Sequence, residues 1–262
     1  MPAESIHAFN TATWSLDSSF LVQLTDPGEP YEAVCPFYLI DHPEGVALVD
    51  TGLSHDLLED PANYGSGAAF MEGFLPAIDY DESMHPVAHL ERAGYDPDEV
   101  DYVVVSHLHC DHAGHLDSFP DAEFLVRQDE LRYCWWPAPV QEVFYLDGDF
   151  GVLRSADYDV TVVAGEYDVF GDGSVLLVPT PGHTPGHQSV VVDLPSRTVV
   201  LGIDVAHRQD GLDREHLASF NADLSRSIDS LRELKARARR ENAELYVLHD
   251  NEHIEAFEGG MR

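Results

Sequence analysis

The chain has 262 residues, 44% of them hydrophobic, so it can bury a full core without external supports. Fourteen basic residues face 48 acidic ones for a formal net charge of −34, which argues against a nucleic-acid partner, and the three cysteines are too few for a disulfide framework. No run of about 18 apolar residues occurs, so no membrane span or membrane partner is expected.

From the start, MPAESIHAFN lacks a basic stretch followed by an apolar run, and an unprocessed cytoplasmic protein is expected. Short apolar runs then recur at 37–40, 46–49, 102–105, 123–126, 160–163, 175–178, 190–192, 199–203 and 245–248. Bounded by turn residues, they read as strands of buried sheets. Two stretches, 60–82 and 134–158, mix aromatics, Gly, Pro and acids without period and read as walls of a pocket or as core filling. The clearest helix runs from Asn221 to Glu241, with Asn221 as its expected cap and Leu224, Ile228, Leu231 and Leu234 on one face. Strands interleaved with helices predict a layered α/β protein, taken as one domain over 1–262.

The chemistry concentrates in Ser106-His107-Leu108-His109-Cys110-Asp111-His112. On an extended chain after a β-branched run, His107 and His109 project to the same side, and Asp111 and His112 follow where the chain turns. Imidazole and carboxylate donors so closely spaced suit a divalent metal such as zinc. Three further parts come in order, each after an apolar run: His183 in Thr180-Pro181-Gly182-His183, Asp204 in Gly202-Ile203-Asp204, and His249 in Leu248-His249-Asp250.

HxHxDH followed by His, Asp and His, with Asp50-Thr51-Gly52 upstream, resembles the metallo-β-lactamase superfamily over most of the chain. The stretches AGYDPDEVDYVVVSHLHCDHAGHL and TPGHTPGHQSVVV resemble its N-acyl-homoserine lactonase branch. The resemblance implies a four-layered αββα sandwich. It further implies one zinc on His107, His109 and His183, a second on Asp111, His112 and His249, and Asp204 shared between them. Manganese, cobalt or iron suit the same donors. The implied reaction is attack on the carbonyl of an acyl lactone or ester by a hydroxide shared by the two metals, with Asp111 carrying the proton to the leaving oxygen. Asp50 is expected behind the metals, either on a ligand histidine or capping a turn.

Two positions depart from the lactonase pattern. His207 stands three residues after Asp204, where those lactonases carry a tyrosine that orients substrate, and its imidazole either donates a similar hydrogen bond or faces solvent. Cys110 replaces a large apolar residue and reads as a small buried filler, or as an extra thiolate ligand. His115 and His187 lie near the ligands and read as structural.

Alternatives on the same ligand order are a thioesterase of the glyoxalase II type, a mono-iron persulfide dioxygenase, and metals that only hold the fold. A class B β-lactamase would be expected to offer a cysteine where Asp204 stands, and a nuclease would want basic clusters. The aromatic loops could also meet in a homodimer.

The charge carries its own expectation. Self-repulsion at −34 destabilises the compact state in dilute buffer, whereas at molar salt the screening length falls to about 3 Å, which fits a cytoplasm of very high salt. Thermal unfolding followed by circular dichroism should move down by roughly 10 °C or more between molar salt and salt-free buffer; an unchanged midpoint would point to a cell of ordinary ionic strength.

Overall fold

The computed structural model describes residues 1–65 and 68–262. Ser66 and Gly67, within the 60–82 stretch, and the side chains of Ala69 and Phe70 lie outside the described residues.

Among the described residues there are twelve strands: β1 (Ser5–Asp17), β2 (Pro30–His42), β3 (Gly45–Val49), β4 (Ile78–Asp79), β5 (Val100–Val104), β6 (Glu123–Arg127), β7 (Asp159–Val163), β8 (Tyr167–Asp168), β9 (Val175–Pro179), β10 (Gln188–Asp193), β11 (Thr198–Ile203) and β12 (Glu244–Val247). They form a seven-stranded sheet, β4-β1-β2-β3-β5-β6-β7, and a five-stranded sheet, β12-β11-β10-β9-β8. All nine expected strands are present.

The sheets face each other. Tyr38, Ile40, Val49, Val104 and Leu125 of the first pack in one buried cluster with Leu177, Val190, Val192, Leu201 and Ile203 of the second. The outer face of the first sheet, through Leu39, Leu48, Val103 and Phe124, is covered by Leu90 of the helix Pro86–Ala93. The outer face of the second, through Val191, Val200 and Val247, takes Leu231, Leu234 and Ala238 of the helix Leu224–Glu241. This is the αββα layering, and its cause is patterning: strands covered on both faces read as unbroken apolar runs, and a helix buries one stripe. No described helix is long and apolar enough to cross a membrane.

Three strands and one helix start differ from the sequence reading, and two of those strands, β4 and β8, are only two residues long. Strand β1 was not expected, although Ile6 and Ala8 before a break at 9–11, and Ala12, Trp14 and Leu16 after it, alternate with polar residues. The long helix begins three residues later than expected: Asp223 caps it by accepting from Arg226 N, and Asn221 is released for other work. Leu224 at its start is exposed, so only the lower part of the apolar stripe is buried.

The loops that follow strand ends are tied to this frame. The turn after β9 is docked on the head of the long helix, where Asp223 N donates to Gly182 O (2.9 Å), Ala222 N to His183 O (2.9 Å) and Ser230 Oγ to Pro181 O (2.6 Å). Gly182 has φ +141°, and a Cβ there would collide with the backbone of Ser227. Gly182→Ala should therefore cost about 1–3 kcal/mol, read as a lower urea midpoint at unchanged slope. An unaltered midpoint would show that this docking does not constrain the turn.

Candidate metal centre

The seven side chains read from the sequence as metal ligands, and Asp50 with them, arrive at one edge of the packed sheets. Asp50 follows β3, His107 to His112 follow β5, His183 follows β9, Asp204 follows β11 and His249 follows β12. Two residues bend the backbone to bring this about: Asp50 at φ 63° and Ile203 at φ 54° occupy the left-handed region, which side chains other than glycine rarely adopt.

Donor atoms of His107, His109 and His183 all lie within 4.8 Å of one another, and so do those of Asp111, His112 and His249. Asp204 stands between the groups. Its Oδ2 is 3.3 Å from His183 Nε2, 3.5 Å from His112 Nε2 and 3.9 Å from His107 Nε2, and its Oδ1 is 3.4 Å from His249 Nε2. Asp111 Oδ2 lies 3.6 Å from His249 Nε2 and 3.8 Å from His112 Nε2. All these residues are buried except Asp111, which is partly exposed.

The outward-facing nitrogens decide what the inward-facing ones carry. His249 Nδ1 donates to Val34 O (2.7 Å) and His112 Nδ1 to Asp50 Oδ2 (2.8 Å). Ser106 Oγ gives its proton to Asp50 Oδ2 (2.7 Å), so His107 Nδ1 must donate to Ser106 Oγ (2.9 Å). His183 Nδ1 donates to Asn221 Oδ1 (2.8 Å), and His109 Nε2 to Gln141 Oε1 (3.3 Å). With one proton spent outward on each ring, the remaining nitrogens present lone pairs to a common centre.

Such a centre fits divalent cations. His183 Nε2 is 3.2 Å from His107 Nε2 and 3.0 Å from His109 Nδ1, close to the edge of about 3.3 Å expected of nitrogens around one tetrahedral zinc. His112 Nε2 and Asp204 Oδ1 are buried without a hydrogen-bond partner among the described residues, which a cation would satisfy. The electrostatics agree. Burial, reinforced by the neighbouring imidazoles, holds His107 and His109 well below the usual histidine range, and burial brings His183 down to about 3, so these three rings are neutral donors. At His112 burial opposes charge, but the carboxylates of Asp204 and Asp111 outweigh it and favour positive charge at that position. Burial likewise opposes charge on Asp204, and His207, His249 and His112 outweigh it to keep the carboxylate ionised.

His207 belongs to the cluster rather than to the surface. Its Nε2 is 3.3 Å from Asp204 Oδ2, its ring stacks on His249, and its buried Nδ1 has no partner among the described residues. Cys110 is a buried filler packed with Trp14, Cys35, Leu53 and Leu146, and burial first, then Asp111 and Asp149, push its thiol well up. His187 holds the backbone of Asp204, whose N–H donates to His187 Nε2 (3.2 Å). His115 lies away from the centre, in ring contact with His55 and His85.

Three supporting residues escaped the sequence reading. Glu130 is a buried carboxylate that accepts from Leu108 N (2.9 Å), Tyr145 Oη (2.7 Å), Thr184 Oγ1 (2.6 Å) and Gly186 N (3.1 Å), and so clamps the His107–His109 loop to the His183 loop. Gln141 sits in the aperiodic stretch 134–158, where no pattern marks it. Asn221, read as a helix cap, is a partner of His183.

Above the centre, Trp14, Leu16, Phe20, Phe144 and Phe220 wall a cleft whose floor includes Asp111, Asp204, His207 and His249. An apolar groove shares Trp14, Phe20, Phe144 and Phe220 with it and continues over Met71, Phe74, Val140 and Val143. Of the aromatics in the two irregular stretches, Phe144 thus faces the cleft, Trp135 packs under Arg154, and Trp136 is 90% exposed.

Residues 31–240 match the family model of the metallo-beta-lactamase superfamily. The chain is 34% identical to the N-acyl homoserine lactonase AttM of Agrobacterium fabrum over 231 residues, covering 85% of this chain and 84% of that one. It is 29% identical to the N-acyl homoserine lactonase AiiA of Bacillus thuringiensis subsp. kurstaki over 255 residues, 96% and 95% of the two chains. A solved N-acyl homoserine lactone hydrolase, with the product N-hexanoyl-L-homoserine bound at its catalytic metal centre, superposes over 100% of both chains with a TM-score of 0.84 and 25% identity.

Asp50 supports both Ser106 and His112, so Asp50→Asn should weaken binding of divalent metal by about 10- to 100-fold. Competition with a chromophoric chelator measures this; an affinity equal to the parent's would remove Asp50 from the support of the centre.

Proposed function

The chain belongs to the metallo-beta-lactamase superfamily, and on that premise we propose that it is a dinuclear metal hydrolase that opens the ring of N-acyl-homoserine lactones or closely similar lactones and esters. The observation that carries this reading is the pair of donor triads, His107, His109, His183 and Asp111, His112, His249, joined by Asp204 with their lone pairs converging. In this reading each triad would hold one cation, with Asp204 a further carboxylate ligand within reach of both sets. Zinc suits the donors best, with manganese, cobalt or iron as chemically allowed substitutes. Metals bound there supply Lewis acidity towards the carbonyl oxygen and an activated water near neutral pH.

The chain's own residues do the rest. Asp111, the partly exposed carboxylate on the cleft floor, takes the proton of the attacking water and delivers it to the ring oxygen as the ester bond breaks. His207, beside Asp204 and with Nδ1 uncommitted, orients the substrate by a hydrogen bond where lactonases of this branch use a tyrosine. Trp14, Phe20, Phe144 and Phe220 exclude water from the reacting ester and lead the acyl chain into the adjoining apolar groove. A second triad beside the first favours two ions over the single iron of a persulfide dioxygenase. The cleft's apolar wall suits an acyl chain better than a charged thioester partner.

Protein purified in high salt should contain two divalent ions per chain and release one proton per turnover from N-acyl-homoserine lactones in a pH-stat. Turnover of persulfide with oxygen uptake, or of thioesters alone, would overturn the assignment. Asp111→Asn should lower kcat by about 100-fold or more, with metal content measured in parallel because Asp111 also lies within one triad. Lactone hydrolysis at the parental rate would exclude it as the proton carrier.

A further inference from the structure

Among the five imidazoles of the two donor triads, His109 is inverted. His107, His112, His183 and His249 face inward with Nε2 and are held from behind at Nδ1, whereas His109 turns Nδ1 inward, 3.0 Å from His183 Nε2. It therefore needs the opposite tautomer, with its proton on Nε2, and its one hydrogen-bond partner there among the described residues is Gln141 Oε1 at 3.3 Å.

The orientation of that amide is not free. Gln141 is fully buried, and both N–H groups of its Nε2 are spent on backbone carbonyls, His183 O at 2.9 Å and Phe220 O at 2.7 Å. A flipped amide would set its oxygen against two carbonyl oxygens and its NH2 against an N–H. Oε1 must face His109, and an acceptor there selects the Nε2–H form. The same amide grips the residue that follows Gly182 and the backbone of an aromatic in the cleft wall. Its own loop is fastened a second time, by Cys110 N donating to Phe144 O at 2.8 Å.

We infer that Gln141 is a positioning residue: its side-chain amide fixes His109 as an Nδ1 donor and couples that ligand to the His183 loop and to the Phe220 wall. This rests on the metal centre proposed above. The role is separable from the centre itself, because the tautomer is set by the protein before any cation arrives.

The test uses full-length protein labelled with 15N-histidine, with and without zinc. Imidazole 15N spectra of the metal-free parent should show His109 protonated on Nε2. Gln141→Met, which keeps the length and removes both functions of the amide, should lose that preference and bind one of two zinc ions about 10- to 100-fold more weakly. Gln141→Glu retains the acceptor towards His109 and should restore most of the affinity, although it loses donation to the two carbonyls. A metal-free parent with the His109 proton on Nδ1 would overturn the inference even if no variant folds. So would Gln141→Met with parental spectra and affinity, or Gln141→Glu as impaired as Gln141→Met. Failure of the parent to take up two metals would instead count against the dinuclear centre, with the tautomer still decided by the metal-free spectrum.

Discussion

Lone pairs that converge in a buried space repel one another unless positive charge sits among them, and the structure around the centre is organised by that requirement. Asp50, Asp204 and five imidazoles are withdrawn from water at one sheet edge. In the absence of a cation their mutual arrangement would be costly, since a buried carboxylate needs a counter-charge and a buried nitrogen needs a donor. The fold meets this by holding each ring from behind. Carboxylate, hydroxyl, amide and backbone carbonyl groups each take one outward proton and leave the inward atom ready to bind.

The supports are shared, which makes the centre cooperative. Asp50 accepts from Ser106 N, Ser106 Oγ and His112 Nδ1, so one carboxylate orients two neighbouring imidazoles, His112 directly and His107 through Ser106. Glu130 ties the loop after β5 to the loop after β9 across the two sheets. Burial raises the Glu130 carboxyl pKa against the lowering effect of its four donors, so this clamp is formed at the expense of a desolvated acid. Its four hydrogen bonds are what make such a group tolerable.

How much of this could be read from residues alone follows from where the signal is local. His107, His109, Asp111 and His112 were visible because four donors fall within six positions after an apolar run, and His183, Asp204 and His249 because each ends a strand. A layered α/β protein was legible in the unbroken apolar runs and one striped helix, whereas the αββα order came from the resemblance to the superfamily. Strand β1 was hidden by its polar alternate residues, and its pairing with β2 is interrupted between Asn10 and Thr13. Gln141 and Asn221 were not legible, because what they do depends on which carbonyls and rings meet them in space. His207 was recognisable as a departure, but only its 3.3 Å approach to Asp204 draws it into the cluster.

Neither donor triad can be completed by one sheet alone. His107 and His109 hang from the first sheet and His183 from the second, and Asp111 and His112 from the first await His249, which follows the last strand of the second. A nascent or half-denatured chain therefore exposes only partial, weak chelating sets. On the proposed dinuclear assignment, full-affinity uptake of the ions would be a late event that certifies both halves as docked, and starvation for metal would be felt first as loosening between the sheets.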